Sequence, residues 1–77
     1  MERALILIKT KSPDIVGVFD KIKSHPKVVE ANTIYGPYDI YSLCEDETTM
    51  GIKRTAMEIR NVAGVVSTCT CVISIKL

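Results

Sequence analysis

Ile22-Lys23-Ser24-His25-Pro26-Lys27-Val28-Val29 falls on Ile59-Arg60-Asn61-Val62-Ala63-Gly64-Val65-Val66 when the chain is laid over itself at an offset of 37 residues. Each copy reads as the end of an amphipathic helix, a short break and the start of an apolar strand. One unit used twice in 77 residues restricts the architecture more than any single residue does. The main stretch without a counterpart is Tyr35-Gly36-Pro37-Tyr38-Asp39, at the joint between the halves.

Working outward from the repeat, Arg3–Thr10 reads as a strand, with Leu5, Ile6, Leu7 and Ile8 apolar on both faces, as in the middle of a sheet covered twice. Ser12-Pro13-Asp14 then signals a helix start, with Ser12 as N-cap, Pro13 at the first helical position and Asp14 facing the dipole. Ile15, Val18, Phe19 and Ile22 form one apolar stripe. His25-Pro26 ends it, because a residue before proline avoids the helical region.

Lys27–Tyr35 is the second strand, with Val29, Ala31, Thr33 and Tyr35 on one face by simple alternation. Gly36-Pro37 marks a turn. The third strand, Asp39–Glu45, follows closely enough to make an antiparallel hairpin. Thr48 or Thr49 caps a second helix carrying Ile52, Ala56 and Ile59, and Ala63-Gly64 closes it. The last strand, Val65–Lys76, sets Val65, Ser67, Cys69, Cys71, Ile73 and Ile75 against Val66, Thr68, Thr70, Val72 and Ser74.

Strand, helix, strand, strand, helix, strand is the α+β, ferredoxin-like βαββαβ order: a four-stranded antiparallel sheet with both helices on one face. Its other face is bare and is expected to carry Thr68, Thr70 and Val72, with Tyr41 and Leu43 where parity turns them outward. Such a face needs a partner, and sheet-to-sheet dimerisation supplies one.

Composition points the same way. One domain over 1–77 is expected, and a monomer of this size buries only roughly 60% of its unfolded surface. Forty-seven per cent of the residues are hydrophobic, a surplus that a second copy would bury. The net charge is +1, and Lys9, Lys11, Lys21, Lys23 and Lys27 are interleaved with Asp14, Asp20 and Glu30. No basic stripe for a phosphate backbone results. The three cysteines are expected to be reduced, small and buried, and Cys69-x-Cys71 lacks the spacing of a metal site. Met1-Glu2-Arg3 precedes only five apolar residues, too few for a signal peptide or a membrane span. A cytoplasmic protein with no cofactor and no membrane partner is expected.

Catalytic machinery is not visible in the sequence. His25 reads as a solvated loop residue with nothing nearby to orient it. Glu45, Asp46 and Glu47 lack the alternation of a calcium loop. Tyr41 is a single candidate for stacking on a base, where sheet recognition of RNA uses several aromatics. The joint is more suggestive. Gly36 permits unusual dihedrals and close approach of a ligand to the backbone. Asp39 offers a carboxylate, and Thr68 and Thr70 offer two hydroxyls on one side of a strand. Together they suit a zwitterion. Equally, Asp39 makes an Asx-type turn bond and the threonines are ordinary strand formers.

Across nearly the whole chain, the sequence resembles the effector-binding (RAM) domain of the Lrp/AsnC regulator family. The resemblance runs through Ala4-Leu5-Ile6-Leu7-Ile8-Lys9-Thr10, Val28-Val29-Glu30-Ala31, Gly36-Pro37-Tyr38-Asp39 and Gly64-Val65-Val66-Ser67-Thr68-Cys69-Thr70. It implies homodimers formed through the sheet faces, assembled into rings of four or five (an octamer or decamer), with an amino acid held between neighbouring dimers. On it, Gly36, Tyr38 and Asp39 border the ligand and Thr68 and Thr70 contact it. Full family members carry an N-terminal helix-turn-helix domain; here a strand begins by residue 3, so a stand-alone member with no DNA-binding domain is expected. Such a member binds amino acids directly or joins full-length regulators in mixed oligomers. The competing assignments are an assembly module without ligand, a small dimeric α+β barrel enzyme, and an ACT-type regulatory domain. The last usually has ligand glycines after strand one, where this chain has Lys11-Ser12-Pro13.

Overall fold

The computed structural model describes residues 1–11 and 13–73. Six elements follow in the expected order: β1 (Glu2–Thr10), α1 (Ile15–Lys23), β2 (Val28–Thr33), β3 (Ile40–Asp46), α2 (Thr49–Arg60) and β4 (Val65–Ile73). The strands form one sheet ordered β2-β3-β1-β4, with every neighbouring pair antiparallel. β1 and β3 are central, and β2 and β4 are the edges. The fold is ferredoxin-like, two split βαβ units sharing a sheet.

Alternation along β1 separates the two faces. Ala4, Ile6 and Ile8 are fully buried, whereas Leu5 and Leu7 are only partly so. The buried set packs with Ile40 and Cys44 of β3, Val18 and Ile22 of α1, and Ile52 and Ile59 of α2. Both helices therefore cover the same face. Ser42 is buried among these apolar groups and donates its hydroxyl to the carbonyl of Ile6 at 3.2 Å, which satisfies a polar group that would otherwise cost free energy there.

The helix boundaries have local causes. α1 begins later than the Pro13 position suggested. Pro13 and Asp14 form a turn, closed by the Asp14 N–H on the Lys11 carbonyl at 2.8 Å, and Asp14 precedes the helix without a side-chain cap bond. The Ser12 cap lies outside the described residues. At the other end, Ser24 donates both its N–H and its hydroxyl to the Asp20 carbonyl. α2 is capped by Thr48, whose hydroxyl accepts the Gly51 N–H at 2.9 Å. Asp46 accepts the Thr48 N–H at 3.1 Å and pairs with Lys27 at 3.3 Å; that backbone bond, more than the lysine, holds its carboxyl below the ordinary range.

Simple alternation fails at one residue in each half. The β2–β3 pairing passes from Val28↔Cys44 to Glu30↔Leu43, so Val29 is extra. The β1–β4 pairing passes from Lys9↔Ser67 to Thr10↔Val65, so Val66 is extra. Both are exposed bulges, and they are equivalent positions of the 37-residue repeat. Beyond each bulge the faces exchange. Val28 and Val65, assigned by alternation to the faces opposite Ala31 and Thr68, pack instead against the helix-side core.

The register also settles which residues lie on the bare face. Leu5 lies opposite Leu43 and Cys71, Leu7 opposite Tyr41 and Cys69, and Arg3 opposite Glu45 and Ile73. Thr68, Thr70 and Val72 lie opposite Ile8, Ile6 and Ala4. They are therefore on the helix side, at its outer strand, and not on the bare face where they were expected. The bare face is more apolar than anticipated: Leu5, Leu7, Tyr41, Leu43 and Ile73 are all partly exposed there. The strand predicted to run on to Lys76 passes outside the described residues after Ile73.

Gly64 brings the break before β4 close against α1. Its φ is +97°, and a Cβ there would stand 2.7 Å from Val18 Cγ2; its carbonyl accepts the Lys11 N–H at 2.9 Å. Gly64→Ala is expected to cost at least about 1–2 kcal/mol from the left-handed backbone alone, at about 4–8 °C of melting temperature per kcal/mol. Gly17→Ala, in α1 with open space around it, is expected to raise the melting temperature; thermal denaturation of the two variants checks the contrast.

Candidate functional site

The β2–β3 joint is closed by the Ile34 N–H donating to the Asp39 carbonyl at 2.9 Å, which leaves Tyr35, Gly36, Pro37 and Tyr38 as the loop between them. Gly36 has φ +130°, a value side-chain-bearing residues rarely adopt. Tyr35 is fully exposed and Tyr38 half-buried.

Asp39 ties this loop to the end of β1. Its N–H donates to the Ile8 carbonyl at 2.9 Å. Its Oδ2 accepts the Thr10 N–H at 2.8 Å and the Thr10 hydroxyl at 3.3 Å. The bond Asp39 makes is thus a long-range one to β1, not a local turn bond. It holds the carboxylate at a fixed place beside a cleft of about 280 Å³ lined by Ile15, Thr33, Ile34, Tyr35 and Asp39. Asp39, Thr33 and two isoleucines thus border one cleft.

Gly36, Tyr38 and Asp39 are together by chain adjacency. Thr68 and Thr70 are not with them: one lies opposite Ile8 and the other opposite Ile6, on the far side of β1. Thr68 and Asp39 flank the same residue, Ile8, about two strand spacings or roughly 9.6 Å apart. The threonine in the cleft is Thr33, which is the repeat equivalent of Thr70. Sequence reasoning passed over Thr33, Ile15 and Ile34 as site residues; the available signal was that Thr33 ends the strand leading into the joint. A second cleft, about 380 Å³, runs between α1 and the α2–β4 break and is bordered by Asp14, Gly17, Lys21 and Gly64. Neither cleft is lined by Thr68 or Thr70.

Other candidate residues are placed as follows. His25 is not a free loop residue: its Nε2 lies 2.6 Å from Glu58 Oε1 and its Nδ1 accepts the Lys27 N–H at 3.1 Å. With Nδ1 accepting, Nε2 carries the proton, and the imidazole ties the α1–β2 break to α2. The Tyr41 hydroxyl donates to Glu30 and accepts from Asn32 at 3.2 Å. Of the cysteines, only Cys44 is buried as expected, and burial pushes its thiol up. Cys69 is half-buried and Cys71 exposed, with their sulfurs 4.0 Å apart. Hydrogen bonding with Cys69 raises the Cys71 thiol.

No family model matches the sequence, and no curated protein matches it. Solved structures do. The crystal structure of FFRP-DM1 aligns over 96% of this chain and 100% of its own, at 29% identity and a TM-score of 0.91. AsnC of E. coli aligns over 94% of this chain at 23% identity and a TM-score of 0.86. The chain shares the fold of FFRP-DM1 and of AsnC. It spans 50% of AsnC. The Lrp/AsnC-type fold also extends to the regulator NMB0573 of Neisseria meningitidis, solved as a complex with L-Met, at 15% identity and a TM-score of 0.82 over 99% of this chain. No helix among the described residues is long and apolar enough to cross a membrane.

Removing the Asp39 carboxylate orphans the part-buried Thr10 N–H. Asp39→Ala is therefore expected to cost about 1–3 kcal/mol. Asp39→Asn keeps an acceptor oxygen and is expected to lose less than half of that; chemical denaturation of both variants measures the difference.

Proposed function

We propose that this Lrp/AsnC-type domain is a non-enzymatic module that binds an amino acid at the β2–β3 joint and assembles with copies of itself. The observation that carries the reading is the placement of the Asp39 carboxylate on the rim of a cleft that also holds the Thr33 hydroxyl and the aliphatic side chains of Ile15 and Ile34. Asp39 takes the ligand ammonium. The backbone at Gly36 and the Thr33 hydroxyl take its carboxylate, and Ile15 and Ile34 take its side chain. The cleft is close to the small end of ligand pockets, roughly 300 Å³, which suits a single amino acid. The L-Met bound to NMB0573 supports the ligand class. Tyr38 supports the loop from its half-buried position. Thr68 and Thr70 reach a ligand only from a neighbouring copy, so their part in the site requires the assembly.

Assembly uses the bare sheet face. Leu5, Leu7, Leu43 and Ile73 form its apolar centre, and Arg3 and Glu45, paired at 3.0 Å, its charged margin. Burying the part of each leucine that is still exposed contributes up to about 1 kcal/mol. A second copy placed sheet to sheet covers the patch, and pairs then join through their remaining surfaces into the octameric or decameric ring. An amino acid that binds between pairs favours one assembly state over another, which is the thermodynamic requirement for an effector. DNA contact belongs to full-length regulators in mixed oligomers.

Calorimetric titration with the twenty amino acids tests the ligand. Heat is expected for at least one of them, and Asn at position 39 is expected to weaken that binding by about 10–100-fold, the equivalent of one charge-assisted hydrogen bond. Absence of heat for every amino acid, with the oligomer intact, removes the ligand half of the reading. Leu43→Glu tests the interface: sedimentation analysis is expected to show a shift from oligomer towards monomer with helical content retained, and an unchanged oligomer would place the interface elsewhere.

A further inference from the structure

We propose that Cys69 and Cys71 form a two-coordinate site for a soft monovalent cation, cuprous copper, at the rim of the bare sheet face. The bulge at Val66 and the β1–β4 register turn both side chains to the face away from the helices, opposite Leu7 and Leu5. Their sulfurs stand 4.0 Å apart. A linear thiolate–metal–thiolate unit spans about 4.6 Å on a metal–sulfur bond of about 2.3 Å, and two corners of a tetrahedral ion span about 3.8 Å. One ion therefore bridges the pair with little strand movement. A disulfide fits worse, because positions two apart on a strand lie about 6.6 Å apart at Cα, near the long limit of about 6.8 Å for a bridge.

The number of ligands chooses the ion. Among the described residues, no group of three or more His, Cys, Asp or Glu is placed to hold a metal. Zinc, which takes four ligands, is left two short. Paired thiolates with no further donor suit a soft ion that is content with two, and Cu(I) is the biological one. On binding, each thiol gives its proton to solvent, two Cu–S bonds form and no electron moves. The ion and two neutral thiols become a complex of charge −1. Lys9 stands on the same face opposite Ser67, next along from Cys69, and its ammonium favours that charge. β4 is an edge strand and Cys71 is exposed, so the pair is reachable from the sheet edge in the single chain. This inference is independent of the amino-acid reading.

The test is anaerobic competition for Cu(I) against bicinchoninate, with ascorbate as reductant and the full chain as purified. One ion per chain is expected, with affinity rising with pH because two protons leave. Cys69→Ser and Cys71→Ser are each expected to abolish competition, whereas Cys44→Ala, checked for folding by circular dichroism, retains it. The proposal is overturned by an absence of Cu(I) binding, by binding that survives either serine variant, or by Zn²⁺ held as tightly as Cu(I).

Discussion

The alternation of side chains along β1 constrains the whole molecule. β1 is hydrogen-bonded on both sides, so its parity passes to β3 and β4 and through β3 to β2. Ala4, Ile6 and Ile8 take the helix side, with Ile40, Ser42 and Cys44 beside them. The odd positions then have no choice: Leu5, Leu7, Tyr41, Leu43, Cys69, Cys71 and Ile73 share the bare face. A slip of one residue would bury Arg3 and Lys9 and expel three core residues. The apolar patch and the thiol pair are both consequences of that one parity.

Asp39 connects this frame to the candidate site. Its backbone and carboxylate hold the joint against Ile8 and Thr10, and the same residue lines the cleft. A charged group used in this way is already ordered before any ligand arrives, which lowers the entropic cost of binding.

Much of this was legible in the sequence. The repeat, the two apolar helix stripes and the Gly36-Pro37 turn led to six elements in the right order and to the joint as the place of interest. Long-range geometry was not legible. Simple alternation misassigned Val28 and Val65 because Val29 and Val66 are bulges, and nothing in a Val-Val pair announces which residue is extra. Thr68 and Thr70 were expected on the bare face because only β1 pairing determines which side they take. His25 looked unoriented because Glu58, its partner, is 33 positions away. Thr33 was overlooked because it borders the cleft as the last residue of β2 and not through a motif.

The central claim is that the Asp39 joint holds an amino acid, and the most direct measurement is a crystal of the chain soaked in a mixture of amino acids. The account predicts a bound molecule in the cleft, its ammonium on Asp39 and its side chain against Ile15 and Ile34. A bound amino acid away from Asp39, or a cleft that stays empty at saturating concentration, would contradict it.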